Sequence, residues 1–207
     1  MKLLYSKKNI LVLESDSIVK KIFNDELDFY SELNFYEQFL DFPYIPKLLE
    51  TDKMTLYLEY IHGKSLHQCP PAKKILLGQT LAHFHNLTYN SDSNTALIHY
   101  DTNLKNYIYA NDQIYMLDFS EITLGHPLSD IYSILLFFCE QLNSTEFDKF
   151  TQDFLKIYTQ NCDFSLELNN DLFTAEIERF ETRREQLQKC IYNYDMYLIN
   201  KQKVMDL

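Results

Sequence analysis

Asp101, Asn106 and Asp118 are the residues whose types and spacing could do chemistry. They stand in two short runs, His99-Tyr100-Asp101-Thr102-Asn103-Leu104-Lys105-Asn106 and Leu117-Asp118-Phe119-Ser120-Glu121. Between the runs, Asn106–Ala110 and Gln113–Leu117 read as strands around a turn at Asn111-Asp112. A hairpin brings its two ends side by side, so the three side chains are expected to converge. Two carboxylates and an amide are hard oxygen donors, suited to a cation such as Mg²⁺ that keeps its waters and binds substrate phosphates. One carboxylate can ligate metal while the other orients a nucleophilic hydroxyl. Asp and Asn also favour turns for local hydrogen-bonding reasons, so the rest of the chain must decide between the two readings.

The chain has 207 residues, a size that fits one domain or one domain of two lobes. Hydrophobic residues make up 46 %, enough for a sizeable core and against wholesale disorder. A net charge of −11 repels phosphate backbones and argues against nucleic acid as a partner, while basic or cationic molecules suit the field better. With 3 glycines in all, a glycine-rich phosphate cradle is not expected. The longest apolar stretch, Ile134–Cys139, is too short to span a bilayer, so no membrane partner is expected. Cys69, Cys139, Cys162 and Cys190 are widely spaced, without metal-ligand spacing. They read as reduced thiols, and the expected compartment is the cytoplasm.

The elements that must position the three residues change character along the chain. Residues 3–23 read as three short strands and residues 25–40 as a helix, closed by Pro43 and Pro46. Leu48–Glu50 and Met54–Ile61 read as an antiparallel pair turning at Asp52-Lys53. From Pro70 the pattern is mainly helical: a strongly amphipathic segment over Ala72–Leu87, then helices over Leu128–Phe138 and through Thr145–Leu207. A sheet-rich first third joined to a helical remainder suggests two lobes, 1–61 and 62–207, with a cleft at Tyr60–Gly63.

The motif H-x-D-x-x-x-x-N, followed twelve residues later by D-F, resembles the catalytic and metal-binding loops of the protein-kinase-like superfamily. The nearest resemblance is to the aminoglycoside and choline phosphotransferases. Leu81-Ala82-His83-Phe84-His85-Asn86-Leu87 matches their L-A-x-x-H-x-L, and Asp130 in Gly125-His126-Pro127-Leu128-Ser129-Asp130 matches the aspartate after D-F. Four ordered matches are specific where one would not be, and with the first third the resemblance covers about Ile10 to Phe138. The resemblance implies an α+β, bilobal protein-kinase-like fold, with a small antiparallel-sheet N-lobe bearing one helix and a mainly helical C-lobe.

The same resemblance assigns roles. Asp101 is the expected catalytic residue, and Asn106 and Asp118 the expected Mg²⁺ ligands. A lysine on the third strand is implied, and Lys20 is chosen because it follows two apolar residues, which puts Lys21 on the other face. Glu32 is the implied helix glutamate, with Glu37 as runner-up. Glu59, Tyr60 and Ile61 form the implied hinge that reads adenine. The glycine-rich loop is missing, and Ser6-Lys7-Lys8-Asn9 stands in its turn. Tyr100 replaces an arginine, Ser120 replaces the glycine after D-F, and the interval from Asp118 to Asp130 is short. These departures point away from a phosphorylation-switched protein kinase. The implied activity is ATP-dependent transfer of the γ-phosphate to a hydroxyl of a small molecule, such as an amino alcohol, a sugar or an aminoglycoside-like compound. A small atypical protein Ser/Thr kinase and a nucleotide-binding pseudokinase or scaffold are the alternatives. Fewer than forty residues separate the hinge from His99, so acceptor contacts are expected from the helices after Asp130. Glu121, Asp148, Asp153, Asp163, Glu176 and Glu178 could wall a site for an amine-bearing alcohol or form a solvated face.

Overall fold

The computed structural model describes residues 2–6, 10–187, 191 and 193–207. In chain order the elements are β1 (Lys2–Ser6), β2 (Ile10–Ser15), β3 (Ile18–Ile22), α1 (Glu26–Gln38), β4 (Leu48–Asp52), β5 (Thr55–Glu59), β6 (Lys64–Ser65), α2 (Pro71–Lys74) and α3 (Leu77–Asn86). There follow β7 (Ala96–Ile98), β8 (Tyr107–Ala110), β9 (Gln113–Met116), β10 (Thr123–Gly125), α4 (Leu128–Cys139), α5 (Ser144–Asn161), α6 (Asn170–Gln186) and α7 (Tyr194–Met205). The architecture is α+β, with small antiparallel sheets and many helices. The chain divides into two compact units, Met1–Cys69 with Leu104–Ile122, and Pro70–Asn103 with Thr123–Leu207.

The first unit holds a five-stranded antiparallel sheet in the order β1-β2-β3-β5-β4 and a three-stranded one in the order β6-β8-β9. Alternation along β3 buries Val19 and Lys21 and leaves Ile18, Lys20 and Ile22 part-exposed. Helix α1 starts where the Asp25 side chain accepts the Asp28 N–H at 3.1 Å. It buries Phe29, Glu32, Phe35 and Tyr36, one stripe at three-to-four spacing that includes a carboxylate. The hairpin β8–β9 is tied to this unit by the Met116 N–H donating to the Tyr44 carbonyl at 2.8 Å. Gly63 is required by close approach, since a Cβ there would lie 2.5 Å from both Ile108 Cγ2 and the Tyr109 carbonyl oxygen.

The second unit is built on α4, which buries almost every side chain from Leu128 to Cys139. Helices α6 and α7 pack on α4, and α3 packs on α5. A capping box between Asn143 and Glu146 starts α5. The amphipathic segment expected over Ala72–Leu87 is two helices, because the chain bends at Ile75–Leu76. Beyond the bend, Gly78 comes so close to α5 that a Cβ would sit 2.8 Å from the Phe154 carbonyl oxygen. The short ribbon β7–β10 was not expected, since its strands have three residues each and no readable periodicity. No described helix is long and apolar enough to cross a membrane.

Candidate active site

Strand parity decides which lysine of the Lys20-Lys21 pair turns inward. Val19, Lys21 and Phe23 are buried together, while the Lys20 ammonium lies 5.1 Å from the centre of the Tyr57 ring. The Lys21 ammonium donates to Glu32 Oε2 at 2.6 Å and to Asp118 Oδ1 at 2.8 Å. The expectation of Lys20 is therefore corrected to Lys21. Two apolar residues before a lysine do not fix its direction; membership of the Val19/Phe23 face does. Glu32 does meet the strand lysine, whereas Glu37 is exposed. Burial pushes the Glu32 carboxyl up to about 7, against the downward pull of the Lys21 ammonium. Burial would lower the Lys21 pKa, but Glu32 and Asp118 together hold it above its ordinary value.

Asp118 has a φ of 64°, in the left-handed region that non-glycine residues rarely adopt. Its carboxylate also accepts from Ser120 Oγ at 3.3 Å, and its side chain is 42 % exposed. The next residue, Phe119, is fully buried and stacks on Phe35 with ring centres 4.0 Å apart. Such a pair contributes about 0.5–1.5 kcal/mol beyond its buried area. It fastens the D-F turn to α1, the helix that carries Glu32. At the other strand of the hairpin, the Asn106 carbonyl accepts the Leu117 N–H at 2.8 Å, and Tyr107 pairs with Met116. Asn106 and Asp118 thus stand at one end of the hairpin, as expected.

The donor set tests the fit of a metal. Among the described residues no cluster of three or more His, Cys, Asp or Glu side chains could hold one. One part-exposed carboxylate and one amide do not make a closed zinc site. They do fit a hard cation that takes its remaining ligands from water and phosphate oxygens. At the segment expected to be the hinge, the N–H groups of Glu59 and Tyr60 donate to the carbonyls of Lys47 and Ser17 at 2.9 and 2.8 Å. Ile61 is buried, and the Tyr60 ring stands edge-on to His62 at 4.8 Å. Ser6 ends β1, and Lys7, Lys8 and Asn9 lie outside the described residues.

Asp101 belongs to the second unit, five residues before Asn106 in the chain. The loop that carries it is held by Asp130, a fully buried carboxylate. Asp130 Oδ2 accepts the His99 N–H at 2.7 Å, and Oδ1 accepts the Tyr100 N–H at 2.9 Å. His85 Nε2 lies 3.2 Å from Oδ2, while His85 Nδ1 lies 2.8 Å from the Tyr158 hydroxyl. Burial would raise the Asp130 pKa, but the contacts from His85 and His99 hold it below its ordinary value. Tyr100 has a φ of 67°, and its carbonyl accepts from Arg179 Nη1 at 3.1 Å. The Arg179 guanidinium also lies 4.2 Å from the centre of the Tyr100 ring. These contacts present the Asp101 carboxylate, 25 % exposed, with Arg183 Nη2 at 3.4 Å.

The acidic residues after Asp130 do not wall this place. Glu176 is buried against Arg179 and Ser133, and Asp148 pairs with Lys203 at 2.5 Å. Asp163 and Glu178 are exposed, and Asp101 is the one acid among the described residues lining the pocket beside it. Sequence reasoning missed Lys21, Arg179 and Arg183. A usable signal existed for the last two: every arginine of the chain falls at 179, 183 or 184.

Residues 87–161 match the phosphotransferase enzyme family (APH). No curated protein sequence matches the chain. Many solved structures share the fold. A choline/ethanolamine kinase family protein from Mesorhizobium loti superposes with a TM-score of 0.63 at 11 % identity, over 100 % of this chain and 88 % of that one. The amicoumacin kinase hAmiN, solved with AMP-PNP, Ca²⁺ and amicoumacin, gives 0.61 at 13 %, over 99 % and 87 %. The aminoglycoside phosphotransferase APH(2")-IIa, in its ternary complex with streptomycin and ATP, gives 0.59 at 14 %, over 88 % and 81 %.

Proposed function

We propose that this chain, which has the fold of the aminoglycoside and choline kinases, is an ATP-dependent phosphotransferase that acts on a hydroxyl of a small molecule. The family match and the fold support a small-molecule phosphotransferase. The observation that carries the reading to particular residues is the Lys21 ammonium held between Glu32 and Asp118. One of its carboxylates is buried and the other is part-exposed, so phosphate oxygens can take the exposed partner's place while Glu32 keeps the ammonium aimed. Asn106 and Asp118 would hold Mg²⁺, which when bound offsets the charge of the phosphates. Glu59, Tyr60 and Ile61 would lie along the adenine edge.

Asp101 would accept the proton of the acceptor hydroxyl. The acceptor oxygen bonds to the γ-phosphorus as the bond to the β–γ bridging oxygen breaks, and ADP leaves with that electron pair. Base assistance of this kind contributes about 10²–10⁴-fold, so positioning and fixed charges supply the larger share. Thermal unfolding with and without Mg²⁺-ATP tests the assignment. Asp118→Ala is expected to lose the nucleotide-induced rise in melting temperature; Asp101→Ala is expected to keep it and lose ADP release. Equal stabilisation of the wild type and Asp118→Ala removes the metal assignment.

A further inference from the structure

The three arginines of the chain, Arg179, Arg183 and Arg184, occupy under two turns of α6, and all three line one pocket of the second unit together with Asp101. The pocket is open to solvent on one side and holds a cavity of about 100 Å³. In a chain of net charge −11, this wall gathers three guanidinium groups, each set against a carboxylate: Glu176, Asp101 and Glu140. Two of the three are fixed from behind. Arg179 is held by Glu176, Ser133 and the Tyr100 carbonyl, and Arg184 pairs with the buried Glu140. Arg183 differs. Its side chain is 37 % exposed, and the carboxylate beside it is that of Asp101.

That contact matters for the reaction. A guanidinium at Asp101 engages the lone pairs that an acceptor hydroxyl needs, and it stands where an ammonium group would have to enter. Resting on the phosphotransferase reading above, we propose that the acceptor carries an anionic group, a carboxylate or a phosphate, which Arg183 binds in place of Asp101. The exchange gives the guanidinium a bidentate partner and leaves the Asp101 oxygens to the hydroxyl. It also requires hydroxyl and anion to lie close together in a short molecule. The amine-bearing alcohol suggested by the overall acidity is disfavoured here, because the only carboxylate among the described lining residues already faces a guanidinium.

Four small alcohols test the proposal: glycerol, glycerate, glycerol 3-phosphate and choline, each titrated by calorimetry into the whole protein with ADP and Mg²⁺. Glycerate or glycerol 3-phosphate is expected to bind the wild type at least tenfold more tightly than glycerol or choline do. The preferred anion identifies carboxylate or phosphate as the group recognised. Arg183→Ala is expected to lose that tenfold, and Arg183→Lys, which keeps the charge without the planar fork, to lose part of it. Choline binding as tightly as the anions, anions binding no better than glycerol, or Arg183→Ala binding anions like the wild type each overturns the proposal. Unfolding curves of the same samples show whether the variants fold. The rise in wild-type melting temperature with Mg²⁺-ATP reports separately on the phosphotransferase reading. If that rise is present and the anion preference is absent, only the acceptor class is lost.

Discussion

Each unit contains a left-handed residue at its site that is not glycine, Asp118 in the first and Tyr100 in the second. Such a conformation costs about 1–3 kcal/mol and persists only where its surroundings over-determine it. The two surroundings are different. Asp118 is held by charge, through an ammonium shared with Glu32, and its carboxylate remains 42 % exposed. Tyr100 is held by hydrogen bonds, through a fully buried Asp130 on one side and Arg179 on the other. A charged contact with one exposed member can exchange that member for another anion. A buried carboxylate that accepts two consecutive backbone N–H groups cannot, and it serves where a loop must keep one shape.

The largest expected effect falls on the fixed side. Asp130→Ala strands the His99 and Tyr100 N–H groups and the His85 ring, and should cost upwards of about 4 kcal/mol in urea unfolding. Lys21→Met leaves two carboxylates without their cation and should cost about 3 kcal/mol, with Lys21→Met/Glu32→Leu recovering part of that. A larger loss from Lys21→Met than from Asp130→Ala would reverse the comparison. Next comes pH dependence. A carboxyl whose folded pKa is raised to about 7 binds its proton more tightly folded than unfolded. Its contribution to stability is therefore present in acid and lost as pH rises from its unfolded value through about 7. Glu32→Gln should flatten that fall in melting temperature; the same fall in the variant would assign it to another group. The smallest effect is expected from Lys20→Met, within about 0.5 kcal/mol, which checks that the two adjacent lysines are not equivalent.

Elements and motifs were legible where the pattern was local. The strands of the first third, α1, the hairpin around Asn111-Asp112 and the long helices follow from periodicity and turn residues. Asn106 and Asp118 were placed at one hairpin end by the length of that hairpin. The lysine was missed by one residue, because adjacent strand positions face opposite ways and only the tertiary partner says which face is buried. The carboxylate in the apolar stripe of α1 and the lysine between Val19 and Phe23 were the readable signs, each a charge on a face otherwise destined for the core. Arg183 was not legible at all as a neighbour of Asp101. Its position depends on how α6 packs on α4, a contact between segments far apart in sequence with no local signature.

The first unit is assembled from two stretches, 1–69 and 104–122, with part of the second unit inserted between them. During synthesis β6 must wait for β8 and β9, by which time α3 and β7 have already left the ribosome. A fragment ending at residue 69 would lack both Asp118 and the Phe119 ring that stacks on Phe35. To express the first unit alone, an engineer would have to splice out residues 70–103 and bridge Cys69 to Leu104 with a linker.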